Sequence, residues 1–196
     1  SRGLGDVYKR QILKSKLSNI EPFIINNKID IKSDNEYKIK LDIYKSLGIT
    51  TVDCSAKHGD NLKELIDFLK QKSVLFVGNS GAGKSTLSSK LIGKKLKTNS
   101  LSNEKGVHTT SISSLYELQN DTKIIDSPGM RDIEIKNYSK DNIISGFEEI
   151  LEASKGCKFT NCNHINNKGC FVIESLANGQ ISQSRYNNFI KFRDNE

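Results

Sequence analysis

Gly78-Asn79-Ser80-Gly81-Ala82-Gly83-Lys84-Ser85-Thr86 decides the reading of this chain. The stretch has the form G-x-x-x-x-G-K-[ST] and follows Val74-Leu75-Phe76-Val77, a fully apolar run of strand type. After it, Lys84 to Ile92 reads as a helix. Strand, glycine loop and helix in that order make a phosphate cradle, because the glycines let successive backbone N–H groups curl around an anion and the helix N-terminus adds positive potential. In such a cradle Lys84 reaches the β and γ phosphates and Ser85 ligates Mg²⁺. A glycine-rich turn without a ligand is the alternative, and the strand-to-helix context argues against it.

The surrounding sequence alternates strands and helices. Pro22 to Asn26 and Thr50 to Cys54 are short segments rich in β-branched residues, and Tyr37 to Leu47 between them carries a helical stripe. Asn61 with Glu64 reads as a capping box that opens a helix whose Leu62, Leu65, Ile66 and Leu69 are spaced i, i+3, i+4 and i+7. Ser111 to Leu118 and Thr122 to Ile125 read as an antiparallel pair turned at Asn120 and Asp121. Ser139 to Ser154 reads as one helix with Ile143, Ile144, Phe147, Ile150 and Leu151 as its apolar stripe. The pattern predicts an α/β domain, a mostly parallel sheet with helices on both faces. From Lys155 onward it breaks into short Asn-, Gly-, Lys- and Cys-containing segments, which suggests a small helical module of its own.

With 196 residues, 35% of them hydrophobic, the chain has room for one good-sized domain and an appendage, so wholesale disorder is excluded. No run of about 18 apolar residues occurs, so neither a spanning helix nor a secretory signal is expected and the protein is read as cytoplasmic, without a membrane partner. The net charge of +7 favours a polyanionic partner, although charge runs often only solvate a face. Ser1 to Gln11 holds two of the five arginines and no initiator Met, unlike the Lys-, Asn- and Ile-rich remainder. It reads as a non-native leader, with residues 12–154 as the nucleotide domain, truncated at its N-terminus, and 155–196 as the C-terminal module.

The base is read elsewhere. Asn27-Lys28-Ile29-Asp30 resembles the N-K-x-D element of GTPases, in which the Asp pairs with guanine N1 and N2 hydrogens, a donor pattern adenine lacks. Ser55-Ala56-Lys57 resembles the S-A-K element that supports guanine from its other edge. Both follow apolar strands, at the strand ends where α/β sheets bind ligands. Asp126-Ser127-Pro128-Gly129 resembles D-x-P-G, in which the Asp holds a Mg²⁺-bound water and the Gly N–H senses the γ-phosphate. Lys105-Gly106-Val107-His108-Thr109-Thr110 occupies the place of switch I, where a Thr hydroxyl completes Mg²⁺ coordination, Thr109 by preference and Thr110 otherwise.

The order is N-K-x-D, S-A-K, P-loop, switch I, D-x-P-G, a circular permutation of the usual small GTPase. The C-terminal module adds Cys157, Cys162, His164 and Cys170, a C-x₄-C-x-H-x₅-C spacing suited to one closed, structural Zn²⁺ site per chain. Cys54, on an expected strand, reads as a core thiol. With these motifs, and with its G-x-H-T-T switch, the chain from about Glu21 to Phe192 resembles ribosome small subunit-dependent GTPase A, a circularly permuted GTPase family with a C-terminal zinc module. The resemblance implies a GTP hydrolase, with Mg²⁺ as cofactor, that acts in late maturation of the small (30S) ribosomal subunit, is stimulated by it, and works as a monomer on rRNA. It also implies an N-terminal OB-fold domain, which this chain does not contain, and a leading strand and helix that are absent or truncated before Glu21.

Two further readings stay open: a GTP/GDP-switched rRNA-binding module with incidental hydrolysis, and a permuted GTPase for the large subunit, against which the zinc cluster argues. Met130 stands where many GTPases carry a water-orienting Gln, and an apolar side chain cannot orient water. His108 is the family-style candidate for that role, beside Lys84 as the charge-neutralising group; otherwise it only contacts RNA or packs. His58 reads as a solvated loop residue, and Arg131 as a partner of switch acids or of RNA. Lys90, Lys94, Lys95, Lys97 and Lys105 form one basic region. Lys155, Lys158, Lys168, Arg185, Lys191 and Arg193 form another, interleaved with Tyr186 and Phe189, which either stack bases or, for Phe189, pack a C-terminal helix onto the sheet.

Overall fold

The computed structural model describes residues 4–32, 35–93, 114–118, 121–126 and 138–194. The chain divides into two compact units, Ser1–Tyr8 with Phe23–Asp132 and Lys9–Pro22 with Ile133–Glu196.

In the first unit, strand β1 (Ile24–Asn27) pairs in parallel with β2 (Thr51–Cys54), Asn27 opposite Cys54. Parallel neighbours need a crossover, and helix α2 (Asn35–Ser46) lies between them in sequence. A second sheet has the order β3-β5-β4: β3 (Ser73–Leu75) is parallel to β5 (Lys123–Asp126), while β4 (Ser114–Glu117) runs antiparallel to β5, the pairing expected from sequence. Leu65 and Leu69 of α3 (Leu62–Leu69) join Cys54, Val74, Phe76, Ile124 and Leu87 and Leu91 of α4 (Lys84–Ile92) in one apolar core. Cys54 is thus the core thiol expected.

Three local expectations fail. Ile66 is exposed: at about 100° per residue it falls on the far edge of the stripe formed by Leu62, Leu65 and Leu69. Asn61 makes no capping hydrogen bond, because it sits in the left-handed region at φ 56°, whereas a side-chain cap needs extended backbone. The strand expected over Val74–Val77 is observed as Ser73–Leu75, and side chains alternate along it, so Val74 is buried and Leu75 faces solvent.

The second unit is helical among its described residues. Helix α1 (Leu4–Leu17) runs through residue 11 without a break; its residues from Lys9 onward belong to this unit, where Gln11, Ile12 and Leu13 are buried. The helix expected over 139–154 is two, α5 (Lys140–Ser145) and α6 (Glu148–Ser154), with Ser139 capping the first by accepting from the Asn142 N–H at 3.2 Å. The backbone leaves helical geometry at Phe147, φ −121° and ψ 73°; Gly146 before it lets Leu13 approach, since a β-carbon there would lie 2.2 Å from Leu13 Cδ1. Both helices, grouped by sequence with residues 12–154, fall in this unit. Helices α7 (Phe171–Ala177) and α8 (Gln183–Arg193) complete a core of Leu13, Ile143, Phe147, Ile150, Val172, Phe189 and Phe192. Phe147 and Phe189 meet edge to face at 5.6 Å. Phe189 therefore packs α8 onto other helices rather than onto a sheet, and is not free to stack a base.

Candidate nucleotide site and metal centre

The glycine loop 78–83 runs from β3 into α4, and two side chains of the N-K-x-D segment bind it. Asn27 Oδ1 accepts from the backbone N–H groups of Lys28 and Ala56, both at 2.9 Å, while its Nδ2 donates to the Ala82 carbonyl at 3.0 Å. One amide thus ties the segments 27–30, 55–57 and 78–83 together. Lys28 Nζ adds a bond to the Gly81 carbonyl at 2.6 Å. Close approach is possible because position 83 has no β-carbon: one there would lie 2.3 Å from Asn27 Nδ2. Gly83 also sits at φ +91°, a conformation that costs other residues strain.

Lys84 Nζ donates to the Gly78 and Asn79 carbonyls at 2.7 and 2.9 Å, so the ammonium lies over its own loop. Ser85 and Thr86, in the first turn of α4, are exposed, as are Ser80 and Gly81. Asp30 Oδ1 accepts from the Ser55 hydroxyl at 2.6 Å, and Ser55 is fully buried. That bond holds the Asp30 carboxyl below the usual carboxylate range; burial opposes it, and His58 and Lys57 add to the lowering. The carboxylate is charged at neutral pH, with two acceptor oxygens to offer. His58 is half exposed, as a solvated loop residue would be, yet its Nε2 lies 3.6 Å from Asp30 Oδ2. Ala56 is buried, Lys57 and Ile29 are exposed, and the Ile29 N–H reaches the Cys54 carbonyl at 3.3 Å.

In the second unit Cys157, Cys162, His164 and Cys170 converge, with all four ligand atoms within 4.8 Å of one another, and could hold one metal ion. His164 Nδ1 lies 3.6 Å from Cys157 Sγ and 3.7 Å from Cys170 Sγ, and the two sulfurs are 3.9 Å apart. The Lys158 N–H bonds the Gly169 carbonyl at 3.0 Å and so joins the two halves of the ligand loop. Burial pushes the Cys170 thiol up to about 11. It acts the same way on Cys157, but the N–H groups of Val172 and Phe171 and the neighbouring thiols outweigh it and bring that thiol down. Burial, with the Arg193 guanidinium nearby, pushes the His164 imidazole down, which leaves it neutral and able to ligate.

A family model described as RsgA GTPase matches residues 6–136. The chain belongs to the RsgA GTPase family. It is 33% identical over 192 residues to the small ribosomal subunit biogenesis GTPase RsgA of Klebsiella pneumoniae, covering 94% of this chain and 54% of that protein. With the protein of the same name from Actinobacillus succinogenes the identity is 34% over 190 residues, covering 94% and 55%. This chain thus spans about half the length of those RsgA relatives. Among solved structures it resembles YjeQ from Thermotoga maritima, with a TM-score of 0.77, 27% identity and coverage of 96% of this chain and 64% of that one. The fold also matches YloQ, described as a circularly permuted GTPase, with a TM-score of 0.76 and 23% identity over 97% and 62% of the two chains. The permuted order inferred from the motifs agrees with that fold.

Several residues to which the RsgA reading gives roles lie outside the described residues: His108, Thr109 and Thr110, Gly129, Met130, Arg131, and Lys94, Lys95, Lys97 and Lys105. Asp126 closes β5, and its side chain is likewise outside the description. Two arginines assigned to a basic surface are not on it. Arg185, 5% exposed, makes a two-pronged ion pair with Glu149 at 2.6 and 3.3 Å and lies over the Phe147 ring. Arg193, 9% exposed, pairs with Asp194 and donates to the Asn163 carbonyl. The Tyr186 hydroxyl, a base-stacking candidate from sequence, donates to the His164 carbonyl at 2.6 Å. The overlooked signal is spacing: 186, 189 and 193 follow i, i+3, i+7 on α8 and so share the face turned to the metal loop.

Proposed function

We propose that this chain is the nucleotide- and zinc-binding part of a GTP hydrolase that acts in maturation of the small ribosomal subunit. The observation that carries the reading is the Asn27 side chain, which links N-K-x-D, S-A-K and the P-loop in one site. Asp30 accepts from guanine N1–H and N2–H, with Ser55 holding its other lone pairs, while Ala56 and Lys57 line the base from the opposite edge. Residues 78–86 wrap the phosphates with backbone N–H groups, and Lys84 leaves its loop carbonyls for the β and γ phosphates. Ser85 and Thr109 would hold Mg²⁺, with Asp126 through a water; the ion supplies charge neutralisation at the phosphates. Gly129 senses the γ-phosphate, and His108 orients the attacking water in place of the Gln for which Met130 stands.

The Cys157, Cys162, His164, Cys170 set suits Zn²⁺. Tetrahedral bonds of about 2.3 Å to sulfur and 2.0–2.1 Å to nitrogen place two sulfurs about 3.8 Å apart and a sulfur and nitrogen about 3.6 Å apart. Among Cys157, His164 and Cys170 the corresponding separations are 3.9 Å and 3.6–3.7 Å, and all four ligand atoms lie within 4.8 Å of one another. Four protein ligands leave no open position, so the ion is structural. The names of the relatives support a small-subunit partner, and the proposal takes the protein as a cytoplasmic monomer that contacts rRNA; among the described residues no helix is long and apolar enough to cross a membrane. Exposed Phe159 and Phe171, with Lys155, Lys158 and Lys168 and no carboxylate between Glu152 and Glu174, give the module an rRNA-compatible face.

The test is GTP hydrolysis with and without purified small subunits, for the wild-type chain and for His108→Ala. Turnover that rises with subunits and is lost in the variant, with subunit binding retained, supports the hydrolase. Stimulated turnover unchanged in the variant refutes the role of His108. Subunit binding set by GTP or GDP, with no stimulated turnover, favours the switched binding module.

A further inference from the structure

Helix α8 does more for the metal loop than cover it. His164 is one of the few non-glycine residues with left-handed backbone, at φ 59°, and it must hold that conformation for Nδ1 to face Cys157 and Cys170. Two peptide planes set the φ and ψ of a residue, and the one on each side of His164 is held from α8. The carbonyl of Asn163, before it, accepts from Arg193 Nη1. The carbonyl of His164 itself accepts from the Tyr186 hydroxyl at 2.6 Å. Between these two contacts the buried Phe189 ring lies 6.3 Å from the imidazole. Arg193 is in turn fixed by Asp194 through Nε at 2.9 Å and Nη2 at 3.0 Å, and lies 5.6 Å over the Phe189 ring.

We infer that Tyr186 and Arg193 are positioning residues for the metal ligand His164, clamping its flanking carbonyls so that the site is formed before the ion arrives. This rests on the zinc reading above. A clamp of this kind acts on affinity: without it, ion binding must itself impose the left-handed backbone, and part of the binding energy is lost. Outer groups that orient metal ligands typically contribute about 10–100-fold in affinity.

The experiment measures Zn²⁺ affinity of the full chain by competition with a chromophoric chelator, and the visible absorption of the Co²⁺-substituted chain, for wild type, Tyr186→Phe and Arg193→Gln. About tenfold or greater loss of Zn²⁺ affinity in each variant is expected, with Co²⁺ bands weakened from the intense tetrahedral pattern. Tyr186→Phe removes one oxygen and keeps the ring, so it answers alone if Arg193→Gln does not fold. A residue that merely stabilised the fold would lower the unfolding midpoint of metal-free and metal-loaded chains alike and leave affinity and spectrum unchanged; that result overturns the inference and leaves the zinc reading standing. A wild-type chain that takes up neither Zn²⁺ nor Co²⁺ overturns both.

Discussion

A β-carbon on Gly83 would sit 2.3 Å from Asn27 Nδ2, although 56 positions separate the two residues. The last glycine of the 78–83 loop and the first residue of the N-K-x-D element are therefore fitted to each other, and the phosphate and base halves of the proposed site meet there. Gly83→Ala has to displace the Asn27 amide and break its bond to the Ala82 carbonyl, and it also forces a side chain to φ +91°. Strain and a lost hydrogen bond together cost on the order of 2–5 kcal/mol. Titration with a fluorescent GTP analogue is expected to show at least a tenfold loss of affinity, with circular dichroism still native. Affinity equal to wild type would mean that Asn27 does not organise the loop.

Ser55 is expected to set the acid limit of the proposed base site. Its hydroxyl is the first cause of the lowered Asp30 carboxyl. A depressed carboxylate contributes stability that is fully present above its unfolded value of about 3.9 and is lost as pH falls through the lower folded one. Ser55→Ala removes the donor, so Asp30 protonates at a higher pH. Nucleotide binding followed from pH 7 downward is expected to fall away earlier in the variant than in wild type. Coincident acid limbs would show that the bond does not act on Asp30.

Arg185 and Glu149 form a buried pair beneath the Phe147 ring. Removing Glu149 takes the carboxylate that accepts both prongs away from a buried guanidinium, a loss of up to roughly 3–5 kcal/mol. Denaturant unfolding of Glu149→Ala is expected to show a loss of that size, with nucleotide affinity unchanged because the pair belongs to the helical unit. A loss below about 1 kcal/mol would mean the pair is solvated as surface pairs are.

What the sequence reveals and what it hides follow from how local each signal is. The P-loop, N-K-x-D, S-A-K and the four metal ligands are read from residue types at short spacing, and the structure brings the described members of each group together. The start of α4 at Lys84 and the β4–β5 pairing were legible for the same reason. The break between α5 and α6 was not: Ile143, Phe147 and Ile150 keep a helical period across it, although the backbone leaves helical geometry at Phe147, φ −121° and ψ 73°. Arg185 and Arg193 looked like surface charge because a buried guanidinium is recognised only by its partner, and Glu149 lies 36 positions from Arg185. The composition of residues 1–11 set them apart, yet what α1 packs against is decided by tertiary contacts.

The most direct test of the account is equilibrium binding of GTP and ATP, each with Mg²⁺, to the purified chain and to Asp30→Asn. A carboxylate that accepts two guanine hydrogens predicts GTP binding at least about 100-fold tighter than ATP binding, and near-complete loss of that preference in the variant, where an amide donor replaces one acceptor. Equal affinity of the wild-type chain for GTP and ATP would contradict the assignment of Asn27–Asp30 as a guanine-reading element, and with it the proposed GTP hydrolase.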